Sequence, residues 1–148
     1  MKKIIFLSFL LLTSLSFISC DKDDDDDVKS SELIGNWKIT HSSGYYKDSR
    51  FPEENEEWDK DDNSGEIFTF NEDGTYGSAV ENTSTKGKWK LDKNLLTLTE
   101  TWNSDEGDVQ TESYTVTVVE LTKSKLILEY YEKDETSEMY SKDTFVKI

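Results

Sequence analysis

The side chains that most often carry out chemistry are scarce in this chain of 148 residues, which has one cysteine, Cys20, and one histidine, His41. A zinc site usually draws on several Cys or His ligands, so none is expected here. A catalytic triad can be assembled from Ser42, His41 and an acid, but no Gly-x-Ser-x-Gly sequence surrounds a serine. The 32 acidic residues leave a carboxylate pair for glycoside hydrolysis open, with no spacing that singles one out. We therefore expect a protein that is not an enzyme and needs no cofactor.

One acidic segment has part of the spacing of a calcium-binding loop. Asp59, Asp61 and Asn63 alternate as the first ligands of such a loop do. The pattern then fails, because Gly65 comes one residue late and Phe70 stands where the loop needs a glutamate. We interpret the segment as a solvated acidic loop and predict no metal site.

The charge of the chain restricts its partners. The 17 Lys and Arg residues against 32 acids give a net charge of −15, which becomes −17 without Lys2 and Lys3. Such a charge repels the phosphates of nucleic acids, so no nucleic-acid partner is expected. It also favours solubility, and we expect a monomer.

The first 19 residues have the anatomy of a signal peptide. A basic start, Lys2 and Lys3, precedes an apolar run over residues 4–12 and a stretch rich in small hydroxyl residues over 13–19. A transmembrane anchor is disfavoured because the strongly apolar part is short. We predict that residues 1–19 are a signal peptide and that the mature chain begins at Cys20.

The stretch Phe17-Ile18-Ser19-Cys20 resembles the lipobox of bacterial lipoproteins. This resemblance implies a diacylglycerol on the Cys20 sulfur, cleavage before it, and acylation of the new amino terminus by a fatty acid such as palmitate. Several acyl chains on one residue suffice for stable membrane anchoring. The acidic run over residues 21–27 predicts an extended spacer, and residues 20–32 together are interpreted as a lipidated cysteine and flexible linker.

The lysine and aspartates directly after Cys20 are similar to the export signal of lipoproteins from Bacteroidota. That similarity implies an outer-membrane lipoprotein that faces the cell surface. The alternative is an outer-membrane lipoprotein that faces the periplasm.

Residues 33–148 show the two-residue alternation of β-strands, separated by turn residues. Residues 41–65 interrupt this rhythm and are predicted to form a long loop, with a short helical turn starting at Pro52 and an acidic stretch over 53–62. In the last strand Thr144, Val146 and Ile148 share one face. The predicted strands cover residues 33–40, 66–70, 75–80, 87–91, 95–101, 109–121, 125–131 and 139–148.

Eight short strands with hairpin-length connections favour an all-β fold, an eight-stranded antiparallel up-and-down barrel, because closure removes exposed edges. A two-sheet β-sandwich is the alternative.

Three segments resemble the lipocalin-like lipoproteins of Bacteroidota: Gly35-Asn36-Trp37 at the first strand, Phe68 to Tyr76 with the letters FTFNEDGTY, and GKWKL followed by LLTL over residues 87–98. The resemblance covers nearly all of residues 33–148. It implies an eight-stranded calyx that holds a small apolar ligand. The expected function is therefore a lipid-anchored extracytoplasmic protein that binds such a ligand; the alternative is a non-catalytic interaction module that presents the 41–65 loop to a protein or glycan at the cell surface.

Eight apolar or aromatic residues are expected to form either the core or the wall of a cavity. An eight-stranded barrel can be just filled or just hollow, and the sequence leaves these two alternatives open. The eight are Trp37, Phe68, Phe70, Trp89, Tyr114, Val116, Leu126 and Leu128.

Overall fold

A computed structural model describes residues 29–80, 83–103 and 109–148. The predicted signal peptide, Cys20 and residues 20–28 of the linker lie outside the described residues. The last predicted linker residues, 30–32, belong to a short helix, α1. The elements are α1 (Ser30–Leu33), β1 (Gly35–Asp48), a 3-10 turn (Pro52–Glu54), β2 (Glu56–Asp61), β3 (Ile67–Phe70), β4 (Thr75–Val80), β5 (Thr83–Asp92), β6 (Leu95–Asn103), β7 (Val109–Leu121), β8 (Lys125–Lys133) and β9 (Ser137–Lys147).

The strands form one antiparallel sheet that closes on itself. Its order is β2-β1-β3-β4-β5-β6-β7-β8-β9, and β1 pairs with β9 along most of its length. Eight strands, β1 and β3 to β9, therefore complete a barrel, and β2 is an additional strand on one edge of β1. The predicted eight-stranded antiparallel barrel is confirmed, and the two-sheet sandwich is not formed.

The prediction of a loop over residues 41–65 is wrong for residues 41–48 and 56–61, which form strands. Strand β1 continues to Asp48, and β2 pairs with it in a register that joins His41 to Asp61 and Tyr46 to Glu56. Residues 41–48 lack apolar alternation, so their strand conformation comes from backbone pairing with β9 and β2, which hydrophobic periodicity does not report. The helical turn predicted at Pro52 is present as the 3-10 turn.

The far end of β1 is fixed by an ion pair between a buried carboxylate, Asp48, and an exposed guanidinium, Arg50. Asp48 is 2% exposed, and its carboxylate accepts hydrogen bonds from the Arg50 backbone N–H at 2.7 Å and from Arg50 Nη2 at 2.7 Å. These hydrogen bonds from Arg50 hold the pKa of Asp48 well below its ordinary value, although burial opposes the shift. The charge is thus compensated where the strand ends.

The base of the barrel is filled with side chains. Leu33 of α1 and Trp37 of β1 have no exposed surface, and Trp37 Nε1 donates a 2.7 Å hydrogen bond to the Leu33 carbonyl. The Lys147 ammonium covers the outer side of the indole at 4.9 Å and donates to the Glu32 carbonyl at 2.9 Å. Helix α1 therefore closes the base as a plug.

The wall of the barrel is less complete away from the base. Strand β7 begins at Val109 and β8 ends at Lys133, yet in the described chain the two pair only from Thr117 opposite Glu129 to Leu121 opposite Leu126. Beyond that point β7 pairs with β6, and β8 pairs with β9. The wall is therefore interrupted between β7 and β8, and we call this interruption the β7–β8 seam.

Candidate functional site

A cavity of ≈ 300 Å³ lies inside the barrel above the filled base. Such a volume stands at the lower end of the range of small-molecule sites, about 300–1,000 Å³. The walls at the β7–β8 seam come from Tyr114 and Val116 on one side and from Leu128 and Tyr130 on the other. The nine lining residues are Phe68, Leu98, Tyr114, Val116, Leu128, Tyr130, Ser141, Asp143 and Phe145.

One wall of the cavity carries a small side chain, that of Ser141. On β9, Ser141 faces Gly44 of β1 and Tyr130 of β8. A Cβ atom on Gly44 would lie 2.2 Å from the Tyr140 carbonyl oxygen and 2.6 Å from Cζ2 of Trp58, so this position has no room for a side chain. The indole of Trp58 on β2 instead covers Gly44 and donates a 3.0 Å hydrogen bond to Ser42 Oγ.

The eight residues expected in the core or the cavity wall divide into two groups. Four of them, Phe68, Tyr114, Val116 and Leu128, line the cavity. The other four pack below it or against its outer edge. Trp37, Phe70 and Leu126 are buried, and Trp89 is half-buried, with its ring 6.0 Å from that of Phe70 and its Nε1 donating to the Asn71 carbonyl.

Five lining residues were absent from the predicted set: Leu98, Tyr130, Ser141, Asp143 and Phe145. Tyr130 continues the alternation of Leu126 and Leu128, and this signal was available in the sequence. Strand β9 carried no clear signal, because its apolar face over Thr144, Val146 and Ile148 points away from the interior. Val146 is 38% exposed and Ile148 is 62% exposed, whereas Phe145 is 3% exposed and lies opposite Leu126.

Asp143 is the one charged residue among the nine that line the cavity. It is half-buried, and Ser141 Oγ donates to its carboxylate at 3.4 Å. Burial raises the pKa of Asp143 above its ordinary value, and the charge of Asp62 adds to this effect, while hydrogen bonds from Ser42 and Ser141 oppose it. The cavity is thus an apolar space with one carboxylate in its wall.

The tyrosines around the cavity are neutral hydrogen-bond donors at neutral pH. Burial raises the pKa of Tyr114, whose hydroxyl lies 3.5 Å from Glu100 Oε1, and the same carboxylate accepts a 2.6 Å hydrogen bond from Tyr76. The hydrogen bond to Glu132 raises the pKa of Tyr130 to about 12. Carboxylates therefore occupy the acceptor positions beside the cavity.

The other residues considered for chemistry do not form a site. His41 lies on the outer face of β1, where its ring nitrogens contact Asp59 at 3.0 Å and Asp61 at 3.3 Å. Ser42 faces the interior and accepts from Trp58, so the strand separates it from His41. Asp59 and Asp61 belong to strand β2 rather than to a loop, and the described residues contain no group of three or more His, Cys, Asp or Glu side chains that could hold a metal ion.

A hollow on the outside of the barrel is a weaker candidate. It has a volume of ≈ 320 Å³, lies between the turns that follow β1 and β8, and is lined mainly by charged and polar side chains such as Asp48, Asp134 and Glu138. The interior cavity is therefore the candidate functional site.

One comparison with known proteins, the match to a family model, agrees with this geometry. No curated protein matches the chain. Within the described ranges, no helix has the length and apolar character needed to cross a membrane. The family model of the lipocalin-like domain matches residues 33–128, from the plug at the base to the cavity residue Leu128, and the structure adds β9 as the strand that closes the barrel. The match covers more than half of the chain, which therefore belongs to the lipocalin-like domain family.

Proposed function

We propose that this protein is a non-catalytic, lipid-anchored extracytoplasmic binding protein that holds a small apolar ligand in the barrel cavity. The observation that carries the proposal is the cavity of ≈ 300 Å³ in the barrel of a lipocalin-like domain. Five of its nine lining residues are aliphatic or phenylalanine side chains, which favour an apolar ligand because its surface leaves water on binding.

The β7–β8 seam supports entry of a ligand. Backbone pairing between these strands stops at Thr117 and Glu129, and Tyr114 and Tyr130 stand beyond that point with their ring centroids 6.4 Å apart. Two aromatic side chains can change rotamer more readily than a continuous hydrogen-bonded wall can open. A ligand would therefore enter between them.

The anchor in this proposal rests on the sequence of residues 1–28. The lipobox-like stretch ending at Cys20 supports acylation of that residue, and the lysine and aspartates after it support an outer-membrane lipoprotein of Bacteroidota facing the cell surface, with the periplasmic face as the alternative. The protein would act as a monomer held at the membrane by its acyl chains, with the acidic run as a spacer.

The ligand proposal is tested with a neutral apolar fluorescent probe, N-phenyl-1-naphthylamine, and the mature chain carrying Cys20→Ser, so that no acyl chain competes for the cavity. Val116 is 7% exposed and lines the cavity, so Val116→Phe should fill part of it and weaken probe binding by at least about tenfold. Val109→Phe makes the same change on the same strand at a residue that is 68% exposed, and should leave binding unchanged.

Thermal unfolding of both variants shows whether each remains folded. A native chain that binds no probe, or a folded Val116→Phe variant that binds as tightly as the native chain, would contradict the proposal.

A further inference from the structure

The cavity has a polar end that carries one negatively charged group, the carboxylate of Asp143. Asp143 lies opposite Leu128 on one side and Ser42 on the other, so its carboxylate stands at the border between the apolar wall and the serine-lined wall. Within the described residues Asp143 forms no salt bridge with a lysine, arginine or histidine. The neighbouring Lys142 points to the outside of the barrel and pairs with Glu129 at 3.1 Å.

The electrostatic surroundings of the cavity are negative. Glu100 contacts the hydroxyl of the lining residue Tyr114, and Glu132 accepts a hydrogen bond from the lining residue Tyr130. The negative charge of Asp62 raises the pKa of Asp143 itself. The nine lining residues include no lysine or arginine that would offset these charges. An anionic ligand head would be repelled here, and a cationic head would be attracted.

A half-buried carboxylate without a cationic partner is costly, because it has lost part of its hydration without gaining an opposite charge. A cation that entered the cavity would supply that charge. The rings of Phe68, Tyr114 and Tyr130 also line the cavity, and aromatic faces attract cations.

We propose that the ligand of this cavity is a cationic amphiphile, with an ammonium or amidinium head that pairs with Asp143 and a short apolar tail that lies against Leu98, Val116 and Leu128. The proposal rests on the function proposed above and names the chemical class of its ligand. Binding requires no covalent step.

Three probes with the same tail and different heads separate this proposal from the more general one. Octylamine, octanol and octanoate are titrated at neutral pH into the mature chain carrying Cys20→Ser, with isothermal titration calorimetry as the readout. We expect octylamine to bind at least about tenfold more tightly than octanol, and octanoate to bind more weakly than either.

Asp143→Asn should bring octylamine down to the affinity of octanol, because the amide retains the shape of the side chain and loses the charge. Asp92→Asn is the matched control: it removes the same charge from an exposed residue at the β5–β6 turn. This control should keep the preference for octylamine, which separates the local ion pair from the general attraction of a chain with a net charge of −15.

The outcomes are distinct. If octanol binds as tightly as octylamine, or if Asp92→Asn lowers the preference as much as Asp143→Asn does, the cationic ligand is refuted and the apolar cavity stands. If none of the three probes binds while N-phenyl-1-naphthylamine does, the cationic ligand is refuted and the proposed function stands; if N-phenyl-1-naphthylamine does not bind either, the proposed function fails with it. If Asp143→Asn does not fold, the comparison of the three probes on the chain that retains Asp143 still tests whether a cationic head is preferred.

Discussion

Replacement of Trp37 by phenylalanine tests whether the base of the barrel is a packed plug or part of the ligand site. The indole of Trp37 has no exposed surface, and its Nε1 is 2.7 Å from the Leu33 carbonyl oxygen at the end of α1. Phenylalanine cannot donate this hydrogen bond, so the Leu33 carbonyl would lose its partner in a buried place. Phenylalanine is also smaller than tryptophan and would leave a void beside Leu33.

The size of the effect follows from these two losses. An unsatisfied buried acceptor costs about 1–3 kcal/mol. The lost ring atoms and the void add about 1–2 kcal/mol. We expect Trp37→Phe to lower the free energy of unfolding by about 3 kcal/mol, which for a domain of this size lowers Tm by about 12 °C.

The assay is thermal and urea unfolding followed by far-UV circular dichroism, with Trp102→Phe as the control. Trp102 is 45% exposed, so the control should change the free energy of unfolding by less than about 0.5 kcal/mol. Trp37 does not line the cavity, so N-phenyl-1-naphthylamine should bind to folded Trp37→Phe as it does to the native chain.

Two results would refute this reasoning. If Trp37→Phe is no less stable than Trp102→Phe, the hydrogen bond to Leu33 and the packing at the base do not hold α1 in place. If stability is kept but probe affinity falls by about tenfold, Trp37 belongs to the wall of the ligand site.

Two further predictions concern the far end of the barrel. Gly44→Ala would place a Cβ atom 2.2 Å from the Tyr140 carbonyl oxygen and 2.6 Å from Cζ2 of Trp58, so we expect a loss of about 1–3 kcal/mol and a shift in tryptophan fluorescence. Gly77→Ala, whose Cβ would meet its nearest atom at 3.3 Å, should cost less. Equal losses would contradict the close packing at Gly44, and unchanged tryptophan fluorescence would contradict the approach of Trp58. Backbone N–H groups of Thr136 and Ser137 donate to Asp134 and lower its pKa from 3.8 to about 2, so the carboxylate stabilises the β8–β9 turn above pH 3.8 and this contribution is lost as the pH falls through about 2. Asp134→Ala should therefore lower Tm at neutral pH, and this difference in Tm should shrink as the pH falls below about 2; a difference in Tm that does not depend on pH would contradict the assignment.

Most of the barrel could be predicted from local patterns. The alternation in residues 109–121 and 125–131, and the turn residues between strands, predicted β7, β8 and their neighbours close to their observed bounds. The missed part is the 41–65 segment, where β1 runs on through serines, a glycine and tyrosines. These residues form a strand because β9 and β2 supply backbone partners over that length, and a partner that lies about 100 residues away in the chain leaves no periodic trace in the local sequence.

Four of the nine residues that line the candidate site could be predicted from the sequence. Alternation showed that Val116 shares a face with Tyr114, and that Leu128 shares one with Leu126. It did not show where the core ends and the cavity begins, because that border depends on which residues meet across neighbouring strands, as Ser141 meets Gly44 of β1 and Tyr130 of β8. The alternation pattern also assigned the apolar face of β9 to Val146, and it did not indicate that Asp143 lines the cavity.

The sequence by itself determined most of the strand content outside residues 41–65, the expectation of a closed barrel and the scarcity of side chains for catalysis, because each of these depends on residue type and local spacing. The tertiary structure decided which face of each strand points inward. A register shift between Ile39 and His41 changes the phase of β1 relative to β9, and a shift of one residue exchanges the inner and outer faces of a strand. Only the assembled barrel therefore places Phe68 in one cavity with Leu128 and Asp143, because Phe68 comes from β3, which is far from β8 and β9 in the chain.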